Sequence, residues 1–186
     1  MTGYILLGIL ILIVLYAITA YNSLVRNKNL TAEGWSGIDV QLRRRADLIP
    51  NLIETVKGYA AHEKGVFEAV TQARAASLGA KGVGAQAAAE GGLQAALGNL
   101  FAVAEAYPNL KADANFRDLQ GQLSSIEDDI QASRRYYNGA ARNFNTQIES
   151  FPSNILANAF HFQKVDFFDI GDEAARSVPK VSFGTN

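Results

Sequence analysis

The sequence predicts an all-α protein: a single N-terminal transmembrane helix, then an elongated antiparallel helical bundle of three or four long helices, then a short extended aromatic C-terminal tail. Three observations carry this prediction. One uncharged apolar run lies near the N-terminus and no second one follows it; apolar residues then recur at three- and four-residue steps. No strand-like alternation occurs before residue 160. The matching division is an anchor over residues 1–21, a bundle over 22–151, and a short helix with a tail over 152–186.

The anchor is the most legible element. Tyr4 to Ala20 holds five Ile, five Leu and one Val and no charge. At 1.5 Å per residue this run spans about 26 Å, and extension to Thr2 and Tyr21 reaches about 30 Å, the thickness of a bilayer's hydrocarbon core. Tyr4 and Tyr21 stand at its ends, where amphipathic rings favour the headgroup layer. A cleaved signal peptide needs a basic stretch before the apolar run and a small-x-small site after it. No Lys or Arg precedes this run and Ile18-Thr19-Ala20 is a poor cleavage site, so a retained anchor is favoured. Basic residues follow the span at Arg26 and Lys28 and again at Arg43, Arg44 and Arg45, which predicts an N-terminus outside and a cytoplasmic C-terminal domain.

Composition excludes several function classes. Net charge is −1 with both signs interspersed, so no basic footprint points to nucleic acid. The chain has no Cys, which removes disulfides, thiolate nucleophiles and thiol metal sites, and its two His residues, His62 and His161, stand far apart. No cofactor is expected.

After the anchor, Trp35, Ile38, Leu42, Ile49, Leu52, Val56, Tyr59, Val66 and Val70 form a helix-packing stripe. Arg45 and Glu63 occupy two of its steps, where long stems can border a core while the heads reach water. Pro50 lacks a backbone donor; a break or sharp kink is favoured there, with Asp47 as the N-cap of a new helix, although the stripe keeps phase across it. Ser77 to Gly92 is rich in Gly and Ala and reads as a loop. Leu93, Leu97, Leu100, Ala104 and Tyr107 mark the shortest major helix, closed by Pro108. The longest is expected from an N-cap at Asp113, with Phe116, Leu119, Leu123, Ile126, Ile130, Tyr137, Ala140, Phe144 and Phe151 in heptad register, and with coiled-coil-like packing. Phe151-Pro152-Ser153-Asn154 ends it and opens a short helix through Phe160. Val165 to Ile170 and Val178 to Phe183 read as extended, packing aromatic side chains on one end of the bundle, and the last few residues as disordered.

Candidate chemistry is sparse. Arg43, Arg44 and Arg45 can in principle clamp phosphate or carboxylate, yet adjacent helical residues point about 100° apart, and a solvated charged face is favoured. His62-Glu63 matches half of a zinc-protease signature, but Val66 stands where the second His is needed. Glu127, Asp128 and Asp129 splay apart on a helix and read as a solvated face as well. Asn51, Asn138, Asn145 and Asn154 fit caps and buried amide hydrogen bonds, with partner recognition as the alternative. The polar residues retained as candidate partner contacts are Arg45, Asp47, Asn51 and Lys57, with His62, Glu63, Arg134, Asn138 and Asn154.

Several runs together resemble the LemA family: Tyr21-Asn22-Ser23-Leu24-Val25, Arg45-Ala46-Asp47-Leu48-Ile49-Pro50-Asn51-Leu52, Val56-Lys57-Gly58-Tyr59, and His62-Glu63. Further along, Tyr107-Pro108-Asn109-Leu110-Lys111, Arg134-Arg135-Tyr136-Tyr137-Asn138 and Phe151-Pro152-Ser153-Asn154-Ile155 follow in family order. The resemblance implies a bacterial, membrane-anchored antiparallel helical bundle with a cytoplasmic domain, and carries over no catalytic residue. It also implies a membrane-organising role, in line with a magnetosome branch of the family, or partnership with a membrane metalloprotease. One departure is His161, which stands where Gly is expected before Phe162. The favoured expectation is a non-enzymatic interaction or scaffold module that binds the bilayer through Tyr4 to Tyr21 and a protein partner or another copy through its bundle. A ligand-sensing bundle is the alternative.

Overall fold

The computed structural model describes residues 1–170, which contain six α-helices and no strand. These are α1 (Thr2–Lys57), α2 (Lys64–Gly79), α3 (Val83–Glu105), α4 (Pro108–Ala112), α5 (Ala114–Glu149) and α6 (Ser153–Ala159). The expected extended stretch from Val178 to Phe183 and the expected terminal disorder lie outside the described residues. By contact density the chain forms two compact units, one of Met1–Leu48 with Asp118–Phe167, the other of Ile49–Arg117 with the segment from Phe168.

In the first unit α1 and α5 run antiparallel. Asn27 Nδ2 donates to Gln147 Oε1, Gly34 lies against Tyr137, and Arg45 reaches Glu127, so positions rise along α1 as they fall along α5. The buried face of α5 here is Leu119, Leu123, Ile126, Ile130, Tyr137, Ala141, Phe144 and Ile148, spaced by threes, fours and sevens. The register therefore settles on Ala141 and Ile148 in place of the expected Ala140 and Phe151. Phe151 is 80% exposed because α5 stops at Glu149 before the stripe can bring it inward. Leu24, Phe144, Ile148 and Ala157 form one core cluster, with Leu156, Phe162 and Val165 against it. Asn145 grips the returning chain, donating to the Val165 carbonyl at 2.8 Å and accepting from the Val165 N–H at 2.9 Å. Tyr137 donates to the Asp166 carbonyl at 2.7 Å.

A close approach explains one glycine. A Cβ on Gly34 would stand 3.0 Å from the Tyr137 Cα and 3.1 Å from Tyr136 Cδ1, so α1 and α5 meet backbone to backbone there. His161 explains another position, where glycine was expected and is absent. Its φ is +56°, and its N–H bonds to the Asn158 carbonyl while that of Phe162 bonds to the Ala157 carbonyl. That pair of bonds is the Schellman closure of α6, so the turn is kept, with a non-glycine residue in the left-handed region.

In the second unit α2 and α3 form an antiparallel hairpin. Ser77 on α2 meets Gln86 and Glu90 on α3, and Glu63 before α2 meets Tyr107 after α3. The expected loop from Ser77 to Gly92 shrinks to Ala80–Gly82, turned at Gly82 with φ +86°. Alanine is the best helix former, and Ala87, Leu93 and Ala96 are buried, which outweighs the glycines at about 1 kcal/mol each. Asp113 caps α5 as expected, its Oδ1 accepting the Phe116 N–H at 2.9 Å.

Three further expectations are corrected. α1 continues through Pro50, so the expected break into a new helix is absent, and Asp47 lies inside the helix and not at an N-cap. An interior proline costs about 3 kcal/mol, less than the burial of Ile49, Leu52 and Val56 contributes at about 1.5–3 kcal/mol each, and Pro50 itself faces out. The break comes at Gly58, so Tyr59 leaves the stripe, 43% exposed. Lengths follow: α1 with 56 residues, and not α5 with 36, is the longest helix, and α2 with 16 is shorter than α3 with 23.

Candidate functional site

The first surface of interest is the apolar start of α1. Among the described residues this is the single helix long and apolar enough to cross a membrane. Ile5, Leu6, Leu7, Ile9, Leu10, Ile11, Leu12 and Ile13 are all at least half exposed, on every side of the helix. Among the described residues no protein core covers them. A cleft of about 580 Å³ runs along one side, between Ile9, Leu12, Ile13, Tyr16 and Ala17 on α1 and Phe151, Pro152, Ile155 and Leu156.

The second is the charged ladder of the first unit. Arg43 pairs with Asp39 at 2.9 Å on its own helix, Arg44 with Asp129 at 3.5 Å, and Arg45 with Glu127 at 2.7 Å. The three guanidinium groups thus diverge, as adjacent helical residues must. Arg45 departs from expectation: its side chain is 4% exposed, so the head is held inside by Glu127 and does not reach water. Glu127 also accepts from Gln131 Nε2 at 2.9 Å. A buried cation needs such a partner because desolvation alone would cost several kcal/mol. The acidic run is consequently less of a solvated face than expected, since two of its three members hold arginines from α1.

The remaining candidates are placed as follows. Asp47, Asn51 and His62 are exposed, and the Asn51 carbonyl accepts from the Thr55 hydroxyl. Lys57 pairs with Glu54 at 2.8 Å and lies 5.9 Å over the Phe67 ring. Glu63 is half-buried, with the Tyr107 hydroxyl at 3.4 Å. Arg134 and Asn138 are half-buried on α5. Asn154 is half-buried on α6, its Oδ1 enclosed without a hydrogen-bond donor. In the second unit Tyr59 donates to Asp113 at 3.0 Å. Asp113 is held below the usual carboxylate range by the Phe116 N–H and then by the Tyr59 hydroxyl, and Tyr59 is raised by that same hydrogen bond to Asp113. Burial raises Tyr137, with the nearby Asp166 charge adding to it.

Sequence reasoning missed one polar cluster. Glu90 is fully buried, its Oε1 accepting from Ser77 Oγ at 2.5 Å and Gln86 Nε2 at 2.7 Å. Gln86 Nε2 also reaches the Ser77 carbonyl at 3.1 Å. The signal was present: Gln86 and Glu90 continue the stripe of Leu93, Leu97, Leu100 and Ala104 upstream by steps of three and four. Their Gly/Ala surroundings suggested a loop and hid it. Among the described residues no group of three or more His, Asp or Glu side chains is placed to hold a metal ion.

The chain is similar to three magnetosome proteins. MamQ 1 and MamQ 2 of Paramagnetospirillum magneticum are each 29% identical over 174 residues, covering 80% of this chain, and MamQ of Magnetospirillum gryphiswaldense is 27% identical over the same length. The chain spans 64% of the length of these magnetosome relatives. Protein LemA of Metamycoplasma hominis is 28% identical over 167 residues, 89% of this chain and 74% of the relative. The sequence model of the LemA family matches residues 34–183, most of the chain and all of the charged ladder, and the protein belongs to that family.

Proposed function

We propose that this LemA-family protein is a non-enzymatic, membrane-anchored interaction module of the bacterial inner membrane. The observation that carries the reading is the contrast within α1: its first turns are apolar and bare on all sides, and the same helix then packs against α5. Eleven Ile, Leu and Val residues between Tyr4 and Ala20 favour insertion by very roughly 3–7 kcal/mol on the translocon scale. The half of α1 from Ala20 onward commits several polar groups to structure: Asn27 to Gln147, Arg44 to Asp129, Arg45 to Glu127. Tethering then supplies function by itself, because it confines the bundle and its partners to one surface and raises their effective concentration.

The basic residues after Tyr21 support an outside N-terminus and a cytoplasmic bundle. The partner is a membrane or cytoplasmic protein, and a membrane metalloprotease or a second copy are the specific candidates. Of the candidate partner contacts, Asp47 in the first unit and, separately, Asn51 and His62 in the second are exposed. Gentle detergent extraction of the tagged full chain, followed by mass measurement of the purified particle, tests this. A complex heavier than the monomer is expected; a strictly monomeric particle with no co-purifying protein contradicts it.

A further inference from the structure

The turn from α5 into α6 presents large apolar side chains that the first unit leaves uncovered. Phe151 is 80% exposed, Ile155 59% and Phe160 57%. They occur within ten residues, and two of them form a wall of the 580 Å³ cleft whose other wall is Ile9, Leu12, Ile13, Tyr16 and Ala17. The Phe160 ring packs tilted against that of Tyr21, the residue that ends the apolar run, with centroids 4.8 Å apart. Along α1, Ala17 and Ile9 lie about 6 Å and about 18 Å from Tyr21 toward the N-terminus. A segment that touches α1 at these levels is inside the hydrocarbon whenever the span is.

The backbone carbonyls of this turn suit such a place, while the Asn154 side-chain Oδ1 is enclosed without a donor. In hydrocarbon each polar backbone group needs a partner from the protein itself. The Thr146 carbonyl accepts from the Ser150 N–H and hydroxyl, the Gln147 carbonyl from Ser153 Oγ, and the Ser150 carbonyl from the Asn154 N–H and Ser153 Oγ. The carbonyls of Pro152, Leu156, Ala157 and Asn158 accept from Ile155, Phe160, Phe162 and His161. Charge appears only at the flanks, where Glu149 and Lys164 pair at 2.6 Å with both side chains more than half exposed.

We propose that the Phe151–Phe160 segment is a second membrane-inserting element, with Phe151 and Ile155 immersed beside the span and lipid acyl chains filling the cleft. Bilayer hydrocarbon is the occupant because one wall of the cleft is the membrane span itself. Two points of insertion fix the rotation of α1 about its axis, which a lone span leaves free, and set which face of the bundle partners meet. The inference rests on the proposed crossing by α1.

The chain has no Cys, so single nitroxide labels at Ile155→Cys, Phe151→Cys, Ile13→Cys and Lys164→Cys can be placed on the full-length protein in phosphatidylcholine/phosphatidylglycerol vesicles. Collision rates with oxygen and with a water-soluble nickel complex are then read by electron paramagnetic resonance. The expected result is an oxygen-to-nickel ratio at Ile155 and Phe151 close to that at Ile13 and several-fold above that at Lys164. Nickel access at Ile155 and Phe151 matching Lys164, with Ile13 still protected, overturns the proposal alone. Shielding from both agents also overturns it, because the segment is then covered by another protein surface. Nickel access at Ile13 itself overturns the crossing on which it rests.

Discussion

The two halves of α1 within the first unit obey one backbone geometry and two different solvents. From Thr2 to Thr19 side chains of one character point in every direction, and only Ala17 is even partly covered. From Ala20 to Ala46 burial alternates: Ala20, Leu24, Thr31, Gly34, Ile38, Leu42, Arg45 and Ala46 face inward while Arg26, Lys28, Glu33 and Val40 face out. The difference shows where each half gets its free energy. The second is fixed by named partners on α5; the first has none on α5 among the described residues, and a hydrocarbon medium is the proposed source of its burial.

The largest test applies charge to both halves. Leu10→Arg with Ile13→Arg places two guanidiniums near the middle of the span at about 2.5–3.5 kcal/mol each, comparable to the whole insertion preference, and is expected to move the protein out of the membrane fraction. Val40→Arg, on the outward face of the second half, is expected to leave fractionation unchanged and stability within about 0.5 kcal/mol. If both variants fractionate alike, the contrast between the halves fails.

Next is the buried cation. Glu127→Ala leaves Arg45 without this carboxylate and is expected to destabilise by about 3 kcal/mol in denaturant unfolding. Arg45→Met removes the desolvated charge itself, leaves a carboxylate that is one-third exposed, and is expected to cost clearly less. Equal losses would mean that burial of Arg45 does not govern the pair. Gly34→Ala follows at about 1–3 kcal/mol, because the new methyl meets the Tyr137 backbone and something must shift.

The smaller effects lie at turns. His161→Gly relieves a left-handed non-glycine residue and is expected to stabilise by about 1 kcal/mol, seen as a rise in Tm. Asp113 supplies a pH dependence. Its folded pKa is lowered, so its contribution is present above the ordinary carboxylate value of about 3.9 and is lost as pH falls through the folded value. Between pH 7 and pH 3 the wild type is expected to lose more stability than Asp113→Asn.

Much of this was legible in the sequence, for reasons that particular residues make plain. The long apolar N-terminal helix, the stripe through Ile38 and Leu42, the Asp113 cap and the stop before Pro108 are local signals. The break expected at Pro50 is absent because a helix penalty of a few kcal/mol is outweighed by the burial of Ile49, Leu52 and Val56. The loop assigned to Ser77–Gly92 misled because glycine frequency spoke louder than the Gln86–Glu90 spacing. Arg45 sat correctly on the stripe, and only its pairing with Glu127, 82 positions away, decided that the charge is inside. Among the candidate partner contacts, spacing identified polar positions and gave no means to tell structural Arg45 from exposed Asp47, Asn51 and His62.

The most direct test of the anchored arrangement uses the absence of native cysteine. Thr2→Cys and Glu33→Cys, both on exposed positions, bracket the span and can be reacted with a membrane-impermeant maleimide in intact spheroplasts and again after permeabilisation. A bilayer-crossing anchor with a cytoplasmic bundle predicts labelling of Thr2→Cys in intact cells and of Glu33→Cys only once the membrane is opened. Labelling of both positions from the same side would contradict it.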